Sequence, residues 1–509
     1  MEVLGLQLDL IVLLSITFIS FISLQSLSCR KVDPREPSVV KLGVPYFGAL
    51  IGMVTQGGKW LRDLAIRTQD PIFTIAMPWS RMYVVTDPAL AASVQRNKNL
   101  SFSPLIPEAT QRILGLDQET VKIVRKNLNR EDNVRGFIPE IHDMVYAYMA
   151  PGDSLDELSA SASKELADLI YDYAGGLQNA ANSSNKEHLL KFCQHFVTVA
   201  TARFLYGPEN PIDTDIGNEQ AFWDFDHGIG LLLVNVAPSI TARKAFRGRE
   251  KLVKALETYL REDHTKTASK LIQNRVEISV RHGWKVDMLA RAELSFLFAG
   301  IVNTAITSFW LILHIFARPR LLDEVREELQ AAFGTLSINK KRQALDATKI
   351  RNECPIFMSV FRETLRVGSE NSSTRIVMAD TVLADKYFLK KDSVLQISGG
   401  AMHVDRRIWG SDADAFDPYR FTEERVKKQD KIHPAAYRAF GGGATLCPGR
   451  HFATNEITSF VALVIMLFDL EPVHGADFSI PRKRDNVLPV HILEPVADVQ
   501  CFFKLRTRS

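Results

Sequence analysis

The chain has 509 residues, 46% hydrophobic and 24% charged, enough to bury a large core and unlike a disordered or low-complexity polymer. A formal net charge of +3 gives no basic excess of the kind nucleic-acid binding needs, so no nucleic-acid partner is expected. The five cysteines, at 29, 193, 354, 447 and 501, show no paired spacing, which argues against a disulfide framework and for a reducing compartment.

In chain order, Leu10 to Ser28 is an uncharged run of Leu, Ile, Val, Phe and hydroxyl residues, about the length that crosses a bilayer. Glu2 and Asp9 precede it and Arg30 and Lys31 follow, so residues 1–29 are expected to be a retained anchor with the following domain in the cytoplasm. A cleaved signal peptide would want a basic start, and this start is acidic. Pro34, Pro37 and Pro45 then predict a stiff hinge over residues 30–48, leaving 49–509 as one domain.

Within that domain helical periodicity recurs at 84–97, 116–128, 187–206, 245–262, 286–317, 320–332 and 353–367. Strand-like runs appear at 72–76, 81–85 and near 375–397. The fold class is therefore mainly α with small β-sheets. The apolar stretch Gly228 to Pro238 reads either as core or as a segment dipping into a membrane. Met288 to Phe316 is nearly uncharged, which in a soluble domain means a helix buried through the centre, and Gly300 interrupts it.

Toward the C-terminus the ten residues Phe440 to Gly449, F-G-G-G-A-T-L-C-P-G, put one cysteine in a glycine-rich loop before a helix predicted over the apolar run 452–468. Glycines at 441, 442 and 443 allow a tight turn and close approach to a flat macrocycle, and Pro448 suits a first helical position. Unpaired N–H groups and the macrodipole at that helix start would stabilise a Cys447 thiolate, which is suited to ligate haem iron.

At Phe440, Gly443, Cys447 and Gly449 this loop resembles the signature of the cytochrome P-450 family: Phe, two residues, Gly, three residues, Cys, one residue, Gly. E-T-L-R, with Glu363 and Arg366, and F-D-P-Y-R-F, with Arg420 and with Tyr419 where the family has Glu, match two further family elements in the right order. The resemblance covers residue 40 to the end. It implies a single-domain cytochrome P-450 fold behind an N-terminal transmembrane helix, haem b on an axial Cys447 thiolate, and a Glu363–Arg366–Arg420 network clamping the core. Arg375 falls where the family often places an arginine for a haem propionate.

The same resemblance exposes departures. Two residues before the ligand the family has Arg or His for a propionate, and here stands Thr445; an earlier Trp and Arg are also missing, with Arg125 or Lys126 as substitutes. On the central helix Ala299 and Gly300 would make room for dioxygen, but the acid and threonine that usually follow are Val302 and Asn303. Either Asn303 and Thr304 organise water for proton delivery, or the enzyme needs no relay. N-T-A-I-T-S-F-W, from Asn303, resembles the branch containing prostacyclin synthase and the sterol hydroxylases, and the ligand loop resembles fungal members that oxidise natural products.

The implied function is insertion of an oxygen atom from dioxygen into a hydrophobic terpenoid, polyketide or alkaloid intermediate of secondary metabolism. Phe296, Ile301, Val302, Ser373, Thr374 and Val377 are the expected substrate wall. NADPH electrons would come through a separate cytochrome P-450 reductase, with cytochrome b5 as a second donor, in the endoplasmic reticulum membrane. A basic docking patch for them is expected from Lys427, Lys428, Lys431, Arg438, Arg450 and His451. An endoperoxide isomerase or dehydratase, and a haem sensor without chemistry, are the alternatives.

Overall fold

The computed structural model describes residues 30–506 except 131–133, 180–183, 339–341, 429–430 and 488–491, together with Ser23 and Leu27. The expected anchor at 1–29 lies outside the described residues apart from those two. From Ser38 the chain is already part of the fold, because Ser38–Val39 pairs in parallel with Phe73–Thr74 at the edge of the main sheet.

The apolar run becomes one helix, Val286–Phe316, buried continuously from Thr304 onward. A helix apolar on every face is stable in water only when other elements surround it. Here Leu189–Tyr206, Arg243–Arg261, Pro355–Gly368 and Arg450–Leu467 all pack against it. Among the described residues it is the one helix long and apolar enough to cross a membrane, and its place is the core of the domain.

The surrounding helices follow the amphipathic rule. Arg243–Arg261 buries Ala245, Leu252, Val253, Leu256 and Tyr259 on one stripe, with Arg249 the one charged residue buried among them, bonded to Glu250 and the Ile113 carbonyl. Helices Gly48–Thr68, Phe137–Met149, Asp153–Asn179 and Lys270–Arg281 were not anticipated from the periodicity. In the first of these Gly57 sits at φ 58°, where a β-carbon would lie 2.2 Å from the Val487 carbonyl, so the glycine that hides the helix in sequence is required by its kink.

A six-stranded sheet orders Ser38–Val39, Ile72–Ala76, Arg81–Val85, Val394–Ser398, Ser372–Val377 and Leu100–Ser101. Its own core, with Tyr83, Val85, Val377, Leu395 and Ile397, is separate from the helical core. Three strands, Phe468–Pro472, Gln500–Leu505 and Ser184–His188, make a second sheet. The stretch from Gly228 divides between both earlier readings: in helix Ile229–Val234, Ile229 and Leu232 are buried, while Leu231, Val234 and nearby Val236 and Ile240 are exposed.

Glu363, Arg366 and Arg420 are all buried to 1% exposure or less. Arg366 grips the carboxylate in a two-pronged pair, Nη2 to Oε1 at 2.6 Å and Nε to Oε2 at 2.7 Å. Arg420 Nε reaches Oε1 at 3.1 Å and the Asp417 N–H donates to the same oxygen at 3.0 Å. The remaining guanidinium donors meet the carbonyls of Ala413, Ala415, Trp409 and Asp412. Removing one member leaves a buried charge without its partner, so Glu363→Ala is predicted to lower stability by about 3–5 kcal/mol in denaturant unfolding.

Candidate functional site

Cys447 lies three residues before the helix Arg450–Leu467, whose N-cap is Gly449, so Pro448 precedes the helix and is not its first residue. The loop is closed by the Cys447 N–H donating to the Phe440 carbonyl at 2.9 Å and by Tyr146 Oη donating to the Leu446 carbonyl at 2.7 Å. Burial pushes the Cys447 thiol up, while the Gly449 N–H and the Arg450 charge pull it down. The net direction is opposite to that expected from a helix start alone. Iron bonded to the sulfur would add to the Arg450 charge and hold Cys447 as the thiolate.

The glycines serve the loop itself. Gly441 and Gly443 have φ of 75° and 59°, a region that favours glycine. A β-carbon on Gly441 would lie 2.7 Å from the Thr445 carbonyl, and one on Gly443 2.8 Å from Gln95. Their absent side chains face protein rather than a flat ligand, which corrects the reason inferred for them from the sequence.

Phe440, Cys447 and Gly449 line one wall of a cavity enclosing about 1310 Å³ of atom-free space, part of it open to solvent. Gly300, Asn303 and Thr304 of the central helix line the same cavity, with Ala299 and Thr307. Of the expected substrate wall only Phe296 is there. Ile301 and Val302 are turned fully into the helical core and Val377 into the sheet core, so helix and strand phase remove them. Met149, Phe204, Leu205 and Ile457 supply apolar lining instead.

Asn303 is engaged, its Oδ1 accepting from the Ile492 N–H at 2.9 Å. Thr304 Oγ1 donates to the Gly300 carbonyl at 3.1 Å and lies 3.3 Å from Glu456 Oε2, while Thr201 Oγ1 lies 3.2 Å from Glu456 Oε1. Glu456 was not anticipated. It is 1% exposed with no cation beside it among the described residues, and burial pushes its carboxyl up to about 8. A buried carboxyl thus lies one hydrogen bond from Thr304, on the helix that follows the cysteine.

Two arginines complete the site. Arg375 is 2% exposed; its Nη2 donates to Thr445 Oγ1 at 2.9 Å and its Nη1 to the Thr374 carbonyl at 2.7 Å. Arg438 is 1% exposed, so it cannot belong to a surface patch. Among the described residues neither has a carboxylate within 4.0 Å. Two buried cations without counter-charge, beside a cavity that holds a thiol, fit a ligand with carboxylates at one edge, and haem b carries two propionates.

His403 fixes Arg438 from behind. Its Nδ1 lies 3.1 Å from the Ser369 carbonyl and its Nε2 accepts the Arg438 N–H at 2.9 Å, which defines the neutral Nδ1–H tautomer. Burial holds this ring at about 3, so it stays neutral in ordinary buffers. By contrast Arg125 and Lys126 are exposed, with Arg125 paired to Glu108, and neither reaches the cavity. Lys427 and Lys428 are paired to Glu423 and Glu424, so the expected docking patch reduces to Lys431, Arg450 and His451.

The cytochrome P450 family model matches residues 239–493. A cytochrome P450 monooxygenase, nodJ, of Hypoxylon pulicicidum is 30% identical over 476 residues, covering 92% of this chain and 89% of that protein. A cytochrome P450 monooxygenase of Gibberella zeae is 30% identical over 87% of this chain and 83% of its own length. The 5-beta-cholestane-3-alpha,7-alpha-diol 12-alpha-hydroxylase of Sus scrofa is 24% identical over 97% of each chain. The crystal structure of a cytochrome P450DA heme domain superposes with a TM-score of 0.69 at 15% identity, over 93% of this chain and 98% of that one. The chain therefore belongs to the cytochrome P450 family, as a monooxygenase that works with haem on a cysteine thiolate and with electrons from a reductase.

Proposed function

We propose that this monooxygenase hydroxylates a hydrophobic polycyclic small molecule, a terpenoid, polyketide or alkaloid intermediate of secondary metabolism, with Cys447 as its iron ligand. The observation that carries the reading is a cavity with the cysteine on one wall, apolar side chains around it, and a hydroxyl–acid pair, Thr304 and Glu456, on the helices that frame it. Similarity to two fungal monooxygenases and to a hydroxylase named for a cholestane diol supports an oxidation of fused rings.

Haem on a thiolate supplies dioxygen activation when bound. The chain does the rest. Phe296, Phe204 and Leu205 take up apolar surface of the substrate and exclude water. With its hydroxyl proton turned to the Gly300 carbonyl, one of the two acceptors in its reach, Thr304 Oγ1 can accept from a protonated Glu456 Oε2 3.3 Å away. Glu456 therefore holds a proton at Oε2, one hydrogen bond from a cavity-lining hydroxyl. A stored proton suits chemistry that consumes protons, and an endoperoxide rearrangement consumes none. Asn303, bonded to the Ile492 amide, fixes the helix against the neighbouring segment while its side chain borders the same space.

We further propose that the catalytic domain sits on the cytoplasmic face of the endoplasmic reticulum membrane, with 1–29 as anchor, 30–48 as a hinge segment held to the main sheet from Ser38, and 49–509 as the rest of the catalytic unit. Exposed Phe47, Ile51 and Val54 of one helix, and Leu231, Val236 and Ile240 around another, support contact with lipid. NADPH–cytochrome P-450 reductase and cytochrome b5 would dock beside Arg450 and His451.

Turnover of ring-system candidates under labelled dioxygen should give product carrying one labelled oxygen, dependent on NADPH and reductase. Product from a peroxide alone, without NADPH, would instead identify an isomerase. Glu456→Gln keeps the shape and removes the titration, and is predicted to slow product formation at least tenfold while raising the NADPH consumed per product.

The same carboxyl gives a stability test. Unfolded chain releases this proton near 4.5 and folded chain near 8, so between those values the folded state binds more protons. Stability contributed by the neutral acid is complete below about 4.5 and is lost as pH rises toward about 8. Glu456→Gln is predicted to remove this decline, which is on the order of a few kcal/mol, in unfolding curves recorded across that range.

A further inference from the structure

We propose that Arg438 is the second cationic anchor of the haem propionates, acting with Arg375 in place of the arginine or histidine that position 445 lacks. This inference rests on the haem assignment and adds to it a residue nine positions before the cysteine.

The geometry is built around that side chain. Strand Ser372–Val377 alternates buried and half-buried positions, which puts Ser373 and Arg375 on one inward face. Arg438 Nη2 donates to Ser373 Oγ at 3.2 Å, so both guanidinium groups are held at the same strand face: Arg375 grows from it and Arg438 reaches it from the ligand loop. Arg438 Nε is buried and has no hydrogen-bond partner among the described residues. Native interiors seldom leave such a donor unmade, because the desolvation cost is then uncompensated.

Charge leads to the same ligand. Burial, and then the Arg375 charge, hold Arg438 down at about 10, and burial also lowers Arg375. Each would gain from an anion placed between them. Nearby carboxylates are already committed: Glu370 is paired to Arg62 and Lys483, and Glu363 to Arg366 and Arg420. A dianionic edge of a ligand in the adjoining cavity meets both needs, with bidentate geometry suited to a guanidinium.

Thr445 now has a reason. Its Oγ1 accepts from Arg375 and donates to the Gly442 carbonyl at 3.1 Å, so it steadies one anchor without contributing charge of its own. A β-carbon on Gly442 would lie 2.3 Å from Gln95 Nε2 and 3.2 Å from Arg438 Nη1, so the loop passes close to both side chains there.

The test is haem release from purified holoenzyme to an excess of a high-affinity haem scavenger, followed by absorbance. Arg438→Gln should release haem at least tenfold faster, the effect of losing a hydrogen bond to a charged group, and should shift the haem midpoint potential negative. Adding Thr445→Arg to that variant should restore slow release, because it returns a cation to the position the family uses. Release at the parental rate would overturn the proposal. So would faster release that Thr445→Arg leaves unrepaired, which would mark Arg438 as structural only. Where Arg438→Gln does not accumulate, Arg438→Lys keeps charge but loses the fork; faster release with an unchanged unfolding transition supports the proposal, and parental release overturns it.

Discussion

The carboxylate of Glu363 is the constraint on which the ligand loop depends. It takes Arg366 in two prongs, Arg420 and the Asp417 N–H, and so fixes its own helix and the segment around Asp417–Arg420 to one buried point. Arg366 also binds the carbonyl of His403. The neutral ring of His403 accepts the backbone N–H of Arg438, two residues before Phe440, where the loop begins. A path of charge-assisted and neutral hydrogen bonds thus runs from the helix Pro355–Gly368 to the start of the cysteine loop. Apolar side chains of similar volume can replace such a network at little cost in stability, but they would remove the directional bonds that set the loop's position.

Electrostatically the interior is divided by role. Among the described residues the structural carboxylate of Glu363 holds two cations, the Glu456 carboxyl behind Thr304 has none, and the guanidinium groups of Arg375 and Arg438 have no carboxylate. Each arrangement follows from what the group must do. A clamp needs its charge neutralised in place; a proton store needs the charged form penalised, which burial without a cation does to Glu456. Cofactor anchors need an unmet charge that the ligand completes, and Arg375 and Arg438 have it.

What the sequence discloses depends on whether the partners are close along the chain. Phe440, Gly443, Cys447 and Gly449 fall within ten residues, and a helix buried on all sides advertises itself by lacking charge, so the loop and Val286–Phe316 are both legible. Glu456 is not, because the hydroxyls that define it lie 255 and 152 residues away along the chain. Arg438 looked like one more exposed base in a basic stretch, and only its burial distinguishes it from Lys427 and Lys428. Asp153–Asn179 hid its apolar stripe among serines and alanines, where Ala162, Ala167 and Ala174 are core residues too small to mark a face. Ile301 and Val302 adjoin Gly300 in sequence, but a helix turns neighbouring side chains by about 100° each, and both face the helical core.

The claim under all of this is that Cys447 presents a thiolate to haem iron within this cavity. The reduced carbon-monoxide difference spectrum of membranes holding the full chain tests it most directly, with Cys447→Ser measured beside it. The account predicts a strongly red-shifted Soret band for the native chain and its loss in the variant. The same band retained in the Cys447→Ser chain, or absent from folded, haem-loaded native protein, would contradict it.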